Sequence, residues 1–204
     1  MKKWFNLASR YLMINKLSLI FFIFLVLTGS VPLKAQENPN NLSENVSLNY
    51  TQIDWPITLM ARIVIPAPPG TVWIILTDYD HLTEFLPQME SSQVVGHSEE
   101  RIIVQLTSRM HFLFFMNKIQ VILSILERSK DEISFFRTGG NMELFSGKWI
   151  LKEIEGGKST QLTYILELKP SFYAPRWVIR HKLDHEIPKM LHLISKRAEK
   201  LGSK

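Results

Sequence analysis

The last segment of the chain limits the possible folds most strongly. From Pro175 to Leu201 apolar residues recur with the period of a helix, and they are Leu183, Ile187, Met190, Leu191, Ile194, Ala198 and Leu201. At 3.6 residues per turn these side chains fall within about 100° of one another, so the pattern predicts a long helix with one apolar stripe. An apolar stripe must be buried against another element. The segments before the helix therefore decide the fold class.

Those segments are typical of β-strands. ITLMARIVI (57–65) is rich in β-branched residues and ends at Pro66. Two short helices are predicted next, at 71–77 and 81–86. Further strands are predicted at about 91–97, 101–110, 118–128, 132–139, 143–154 and 161–169, with turn residues between them. This order predicts an α+β fold, in which a curved antiparallel sheet of about seven strands wraps around the C-terminal helix. The two short helices would cover the mouth of an apolar cavity between sheet and helix.

The first 35 residues differ from the rest in composition. Residues 17–31 are an apolar run without a charge, and they follow Lys2, Lys3, Arg10 and Lys16. This pattern predicts a secretory signal peptide cleaved after Ala35, and hence export to the periplasm. The alternative is an uncleaved membrane anchor at residues 17–31. Residues 36–55 are polar and lack periodicity, so we expect a flexible arm there.

Charge and cysteine content exclude several classes of function. The chain has 24 basic and 19 acidic residues, and five of the basic residues lie in the first 35, which contain no acidic residue. The remainder is therefore balanced, and nothing favours a nucleic-acid partner. The absence of cysteine excludes thiol catalysis, disulfides and cysteine metal sites.

Four ionisable residues in a row, Asp78, Tyr79, Asp80 and His81, suggest acid–base chemistry at first sight. They stand between the two short predicted helices, where side chains that cap free N–H groups are expected. Thr77 and Asp80 have the spacing of a capping box, and Tyr79 can bury its ring. We therefore predict a capping role and no catalytic residue here.

Three histidines on the C-terminal helix have spacings that zinc sites use. On a straight helix His181, His185 and His192 project at about 160–200° from Leu183, opposite the apolar stripe. We expect them to face solvent and predict no metal site. Pro188 is predicted on the same outer face.

Two segments supply candidates for a cavity wall. MHFLFFM (110–116) is nearly all apolar. Within strands, it would line the cavity through Phe112 and Phe114; within a turn, Phe112, Phe114 and Phe115 would form a membrane-docking tip. In GNMELFSGKW (140–149), alternation places Phe145 and Trp149 on one face of a strand and Met142 on the other, and Gly147 leaves room for a neighbouring element.

The chain resembles the START-like, helix-grip superfamily, and within it the polyketide-cyclase and coenzyme-Q-binding lipid-transport group. Three stretches carry the resemblance: PPGTVWIILTDYDHLTEFLP, GNMELFSGKW, and the DHEIPKML segment of the last helix. It covers residues 57–200 and implies a helix-grip fold with a cavity for an apolar ligand, so residues 56–204 are expected to form a START-like ligand-binding domain. No catalytic residue transfers, because members of this superfamily include both enzymes and binding proteins.

Our leading hypothesis is an exported, non-enzymatic carrier for a hydrophobic small molecule such as a lipid, an isoprenoid or a quinone, with no cofactor. The predicted ligand-binding wall is Phe85, Leu86, Phe112, Phe114, Phe145, Trp149, Leu183, Ile187 and Leu191. One alternative is a cyclase or dehydratase, with Arg62, Arg109, Tyr79 and His111 as candidate ionisable groups. Another is a membrane-docking interaction module.

Overall fold

The computed structural model describes residues 46–112 and 115–202. The strands of this part are β1 (Val46–Gln52), β2 (Ile57–Ile65), β3 (Met89–Ser98), β4 (Arg101–Phe112), β5 (Phe115–Arg128), β6 (Glu132–Gly140), β7 (Met142–Ile154) and β8 (Ser159–Pro170). The α-helices are α1 (Pro69–Thr77) and α2 (Arg176–Gly202), and 3₁₀ helices span Tyr79–Glu84 and Glu155–Gly157.

All eight strands of the described part belong to one antiparallel sheet with the order β1-β2-β8-β7-β6-β5-β4-β3. The β2–β8 pair, from Ile57 with Leu168 to Ile65 with Thr160, joins the start of the sheet to its end. Register shifts interrupt several of the other ladders, and such bulges bend and twist a sheet. The predicted α+β fold, a curved sheet with a long C-terminal helix, is confirmed, with eight strands in place of about seven.

β1 lies within the segment that we expected to be a flexible arm. Val46, Leu48 and Tyr50 point to the core side, and the residues between them are polar and exposed. This period-2 pattern is the mark of a half-buried strand, but the many Asn and Ser residues around it made the segment look unstructured. The strand is tied to α2 as well, because the Tyr50 hydroxyl donates to Asp184 Oδ1 at 2.7 Å.

The apolar stripe of α2 packs on β2 and α1. Leu191 and Ala198 are 0% exposed and Ile187 is 6% exposed, as a stripe buried in the core requires. Pro188 is also buried, which contradicts its predicted place on the outer face. Pro188 projects about 20° from Ser195, which is also buried, so the buried arc of the helix is wider than the apolar stripe alone suggests.

Within the described residues, none of the helices has the length and the apolar composition needed to cross a bilayer. The predicted signal peptide or anchor, residues 1–35, and the first part of the predicted arm lie outside those residues.

Candidate ligand-binding site

A cavity of about 450 Å³ lies between the first half of α2 and strands β4, β5, β7 and β8. Its apolar lining is contributed by Pro87, Ile119, Met142, Phe145, Leu168, Pro170, Phe172, Ile179 and Leu183. Its polar lining consists of Gln88, Ser108, Arg109, Lys182, Glu186 and Lys189. This volume falls in the range of small-molecule sites, which are mostly apolar with a few polar groups.

Helix α2 contributes to the cavity with a second stripe, next to the core stripe. Ile179, Leu183 and Glu186 follow one another at spacings of four and three, so they project from the same side of the helix. Ile187 and Leu191 project about 40–80° from Leu183 in the opposite rotational sense, and they are buried against the sheet and α1. The cavity therefore begins where the core stripe ends.

Strand β7 places two residues on the cavity side that simple alternation would separate. Met142 pairs with Pro170, and the register with β8 shifts before Leu144. A bulge of this kind reverses the alternation, so both Met142 and Phe145 line the cavity. The predicted position of Phe145 on the cavity side holds, and the prediction that Met142 faces the other way is wrong.

Beyond Phe145 the same face of the sheet carries a row of aromatic rings. The Phe145 ring lies 5.9 Å from that of Phe135, and Tyr164 stacks on Trp149 with ring centroids 4.0 Å apart. Gly147 makes this row possible, because a Cβ there would lie 2.1 Å from the carbonyl oxygen of Ile165 and 2.9 Å from the Phe135 ring. Burial raises the pKa of the Tyr164 hydroxyl above its usual value. Tyr164 is therefore a neutral packing residue.

Of the nine predicted wall residues, Phe145 and Leu183 line this cavity. Leu86, Ile187 and Leu191 are buried in the structure, and Phe85 and Trp149 are partly buried against the core. The Phe112 side chain and all of Phe114 lie outside the described part. A ligand role stays a prediction for all nine residues, including the two that line the cavity.

Sequence reasoning missed lining residues in several elements, among them Ser108 on β4 and Ile119 on β5. Pro87 and Gln88 directly follow the short 3₁₀ helix, and Leu168, Pro170 and Phe172 belong to the end of β8 and the loop after it. Ile179 and Glu186 extend the Leu183 row along α2. That helical spacing is the one signal in the sequence that could have identified them, because the others depend on the curvature of the sheet.

The polar rim of the cavity is organised by Glu90 on β3. Its carboxylate pairs with the Arg109 guanidinium and, at 3.0 Å, with Lys118 Nζ. Hydrogen bonds from these two cations lower the pKa of the Glu90 carboxyl below its usual value. The backbone N–H of Arg109 also donates to the carbonyl of Gln88 at 3.1 Å, which fixes the Pro87–Gln88 segment against β4.

Two buried oxygens of cavity-lining residues are unpaired among the described residues, unlike the carboxylate of Glu90. Oε1 of Gln88 and Oε2 of Glu186 are buried, and neither has a hydrogen-bond partner among the described residues. Most buried polar groups in proteins are paired, so these two atoms are exceptions that call for an explanation.

The Asp78–His81 quartet is occupied by structural contacts, and none of its side chains caps a helix. Asp78 Oδ1 pairs with His81 Nδ1 at 2.5 Å, and Asp80 Oδ1 accepts the backbone N–H of Val94 on β3 at 2.8 Å. The Thr77 hydroxyl donates to a carbonyl four residues earlier in α1. The predicted capping role is therefore wrong, because these side chains bond to the neighbouring strand, to each other and to the preceding turn.

The 3₁₀ helix after α1 is fastened to the rest of the domain at both ends. The Tyr79 hydroxyl donates to Glu127 Oε1 on β5 at 2.9 Å, and its carbonyl accepts the hydroxyl of Ser92 on β3. At the other end Arg197 Nη2 donates to Glu84 Oε2 at 2.9 Å. Burial and the Glu127 contact raise the pKa of the Tyr79 hydroxyl. Tyr79 is accordingly a neutral donor that fixes the segment leading to Gln88.

The other residues considered for chemistry lie on different elements of the domain. Arg62 is exposed, Arg109 lies at the cavity rim, and the His111 side chain is outside the described part. His181 and His185 are exposed, with their rings 4.5 Å apart, whereas His192 is half-buried. Among the described residues no cluster of three or more His, Asp or Glu side chains could hold a metal ion.

Comparisons with known proteins agree with this fold. The sequence model of the family described as "polyketide cyclase / dehydrase and lipid transport" matches residues 65–193, from the end of β2 into α2. No curated protein matches the chain in sequence.

Solved structures with the same fold have low sequence identity to this chain. A START superfamily protein from Mycobacterium smegmatis is 13% identical with a TM-score of 0.61, over 71% of this chain and 98% of that one. The Zhui aromatase/cyclase from Streptomyces sp. R1128 is 14% identical with a TM-score of 0.58, over 76% and 95%. A STAR-related lipid transfer protein from Xanthomonas axonopodis is 13% identical with a TM-score of 0.62, over 77% and 95%. Because the family match extends over more than half of the chain, this protein belongs to the polyketide cyclase/dehydrase and lipid transport family, with a START helix-grip fold.

Proposed function

We propose that this protein is a carrier that holds a hydrophobic small molecule in the cavity between α2 and the sheet. The observation that carries the proposal is the 450 Å³ cavity with its mostly apolar lining, from Ile119 and Phe145 on the sheet to Leu183 on the helix. Removing apolar ligand surface from water supplies about 25 cal/mol per Å², which makes apolar contact the main source of affinity. The few polar groups then set the orientation of the ligand.

The direct test is to identify what the protein carries. The protein is purified without detergent and extracted with organic solvent, and the extract is analysed by mass spectrometry. We expect one class of hydrophobic molecule in stoichiometric amount, or, if it is lost in purification, saturable binding to one class in a panel of lipids, isoprenoids and quinones. No extracted molecule and no binding across the panel would contradict the proposal.

A cyclase or dehydratase acting in the same cavity is the second candidate. It is favoured by one observation, that Arg109, Lys182 and Glu186 place ionisable groups on the cavity wall. The same panel tests it, because an enzyme would return a chemically changed compound. Recovery of every bound compound unchanged would eliminate this candidate.

Peripheral membrane contact through Phe112, Phe114 and Phe115 belongs to the same proposal. Ser108 on β4 and Ile119 on β5 line the cavity, and both strands continue beyond it to the paired residues Phe112 and Phe115. Both strands thus continue past the cavity wall, and a membrane contact near their ends would be useful for loading. We expect Phe115→Glu to reduce flotation with liposomes, whereas Phe136→Glu, at an exposed site on β6, serves as the control. Equal flotation of both variants and the wild type would argue against this contact.

Export to the periplasm completes the proposal, and its support is the composition of residues 1–35. Fractionation of a bacterial host that produces the full chain should place the protein in the periplasm with an N-terminus near Gln36. A full-length protein in the membrane fraction would favour the anchor at residues 17–31.

A further inference from the structure

The buried oxygens of Gln88 and Glu186 restrict the hydrogen-bonding chemistry of a ligand in the cavity. Both side chains line the cavity, and Glu186 Oε2 and Gln88 Oε1 lack a hydrogen-bond partner among the described residues. A buried acceptor without a partner destabilises the folded protein, and the cost is larger when the acceptor is charged. The terminal torsions of Glu and Gln are broad, so a small rotation turns either group toward the cavity.

The carboxylate of Glu186 restricts the chemistry of its partner. An ionised carboxylate accepts hydrogen bonds and donates none. A ketone, an ether, an ester carbonyl or a quinone also only accepts. A ligand whose polar end contains such groups alone would leave Glu186 unpaired and would add a repulsive contact between oxygens.

Two lysines flank Glu186 on the same helix. Lys182 is four residues before it and Lys189 three residues after it, and both line the cavity. An ammonium group donates and does not accept. The polar part of the wall therefore offers an acceptor between donors, and a hydroxyl group matches it because a hydroxyl both donates and accepts.

We infer that the ligand has a hydroxyl group at its polar end, which donates to Glu186 and lies beside Gln88, while its apolar body contacts Met142, Phe145 and Leu168. The inference rests on the proposed carrier function and narrows its ligand class to hydroxylated hydrophobic molecules, such as long-chain alcohols, phenols and hydroquinones. Quinones, esters and ethers of the same carbon skeleton are expected to bind more weakly.

The test compares matched pairs of compounds, farnesol with its methyl ether and a decyl hydroquinone with the corresponding quinone. Each is titrated against the purified protein loaded with pyrene, a fluorescent hydrocarbon without hydrogen-bonding groups. We expect the hydroxylated member of each pair to displace pyrene at least tenfold more tightly, although the other member is the more hydrophobic.

Variants at Glu186 connect this preference to the site. Glu186→Leu should remove most of the preference, and Glu186→Gln, which keeps an acceptor oxygen, should retain part of it. Glu199→Leu, at an exposed position on the same helix, is the control and should leave it unchanged.

The outcomes separate the two proposals. Equal affinity within each pair, or a preference that survives in Glu186→Leu, would overturn the hydroxyl inference even when pyrene binds normally. Failure of pyrene and of all four ligands to bind the wild-type protein would overturn the carrier function itself, and the inference with it.

Discussion

Glu186 lines the cavity, and its buried Oε2 has no hydrogen-bond partner among the described residues. A group of this kind lowers the stability of the folded protein, because water would solvate it in the unfolded chain. Such costs are common where a side chain serves binding in place of folding.

Glu186→Leu should therefore stabilise the ligand-free protein while it weakens selection of the ligand. Loss of the unpaired oxygen and the added apolar contact should raise the free energy of unfolding by about 1 kcal/mol, which for a chain of this size corresponds to roughly 3 °C in Tm. Calorimetry of the ligand-free variant and the wild type measures this shift. A lower Tm in the variant would show that Glu186 is satisfied in solution.

His81 forms an exposed pair with Asp78, and this contact changes the pKa of the His81 ring. The hydrogen bond that the His81 ring donates to the Asp78 carboxylate raises the pKa of His81 above its usual value of 6.5. A raised His pKa contributes stability below about pH 6.5, and that contribution is lost as the pH rises through the raised pKa. Because the pair is in water, its effect on stability is small.

The shift itself can be measured by NMR. Asp78→Asn should lower the pKa of His81 toward 6.5, followed through the ring-proton shifts of His81 between pH 5 and 9. Asp131→Asn, in the turn before β6, is a control that should leave the titration unchanged. An unaltered His81 pKa in Asp78→Asn would mean that the pair does not form in solution.

Among the strands, the close pairing of β7 with β8 depends on the absence of a side chain at Gly147. A Cβ on Gly147 would lie 2.1 Å from the Ile165 carbonyl oxygen on β8, so the two strands would have to move apart. The same shift would disturb Phe135, and through it the ring of Phe145 at the cavity wall.

Gly147→Ala should accordingly lower the free energy of unfolding by roughly 2 kcal/mol, as overpacking of a tight site does. Urea unfolding followed by circular dichroism measures the loss. Gly70→Ala is a matched control: a Cβ at Gly70, in the first turn of α1, would have no atom within 4 Å, and alanine favours a helix. Similar unfolding midpoints for the two variants would contradict the tight β7–β8 contact.

Apolar periodicity in the sequence was sufficient to predict the strongly patterned helices and strands. It was not sufficient to predict a weakly patterned strand or a bulge within a strand. The core stripe of α2, including Ile187 and Leu191, was predictable because a helical period records burial directly. β1 was missed because only three apolar residues alternate in a polar segment. The side on which Met142 lies depends on a bulge, which is a property of the paired strands and leaves no period in one of them.

The candidate site was less predictable than the fold for the same reason. Phe145 and Leu183 were identified because large apolar residues on the concave side of the sheet or on the apolar stripe are natural wall candidates. Trp149 met the same criterion, but its ring stacks on Tyr164. Alternation shows which face of β7 a residue lies on, and it does not show how far along the strand the cavity extends. Gln88 is held at the wall because its backbone carbonyl accepts a hydrogen bond from the backbone N–H of Arg109. These two residues are 21 positions apart in the sequence.

At the scale of the whole molecule, one curved sheet and one helix create the cavity. Two neighbouring faces of α2 are used: one packs in the core and includes Leu191, and the other lines the cavity and includes Ile179 and Glu186. Solved structures that share the fold at 13–14% identity include a lipid transfer protein and an aromatase/cyclase, so the fold alone does not define a ligand or an activity. Under the proposed carrier function, the residues on the cavity wall would select the ligand.

Whether the cavity binds hydrophobic molecules is decided by the affinity for pyrene, measured by fluorescence, of the purified wild-type protein and of Leu183→Trp. Leu183 lines the cavity, so the larger indole should occupy space that the ligand needs, and binding should weaken at least tenfold. Leu201→Trp, at an exposed position near the end of the same helix, should bind pyrene as the wild type does. No binding by the wild type, or equal binding by Leu183→Trp, would show that this cavity is not a binding site for hydrophobic molecules.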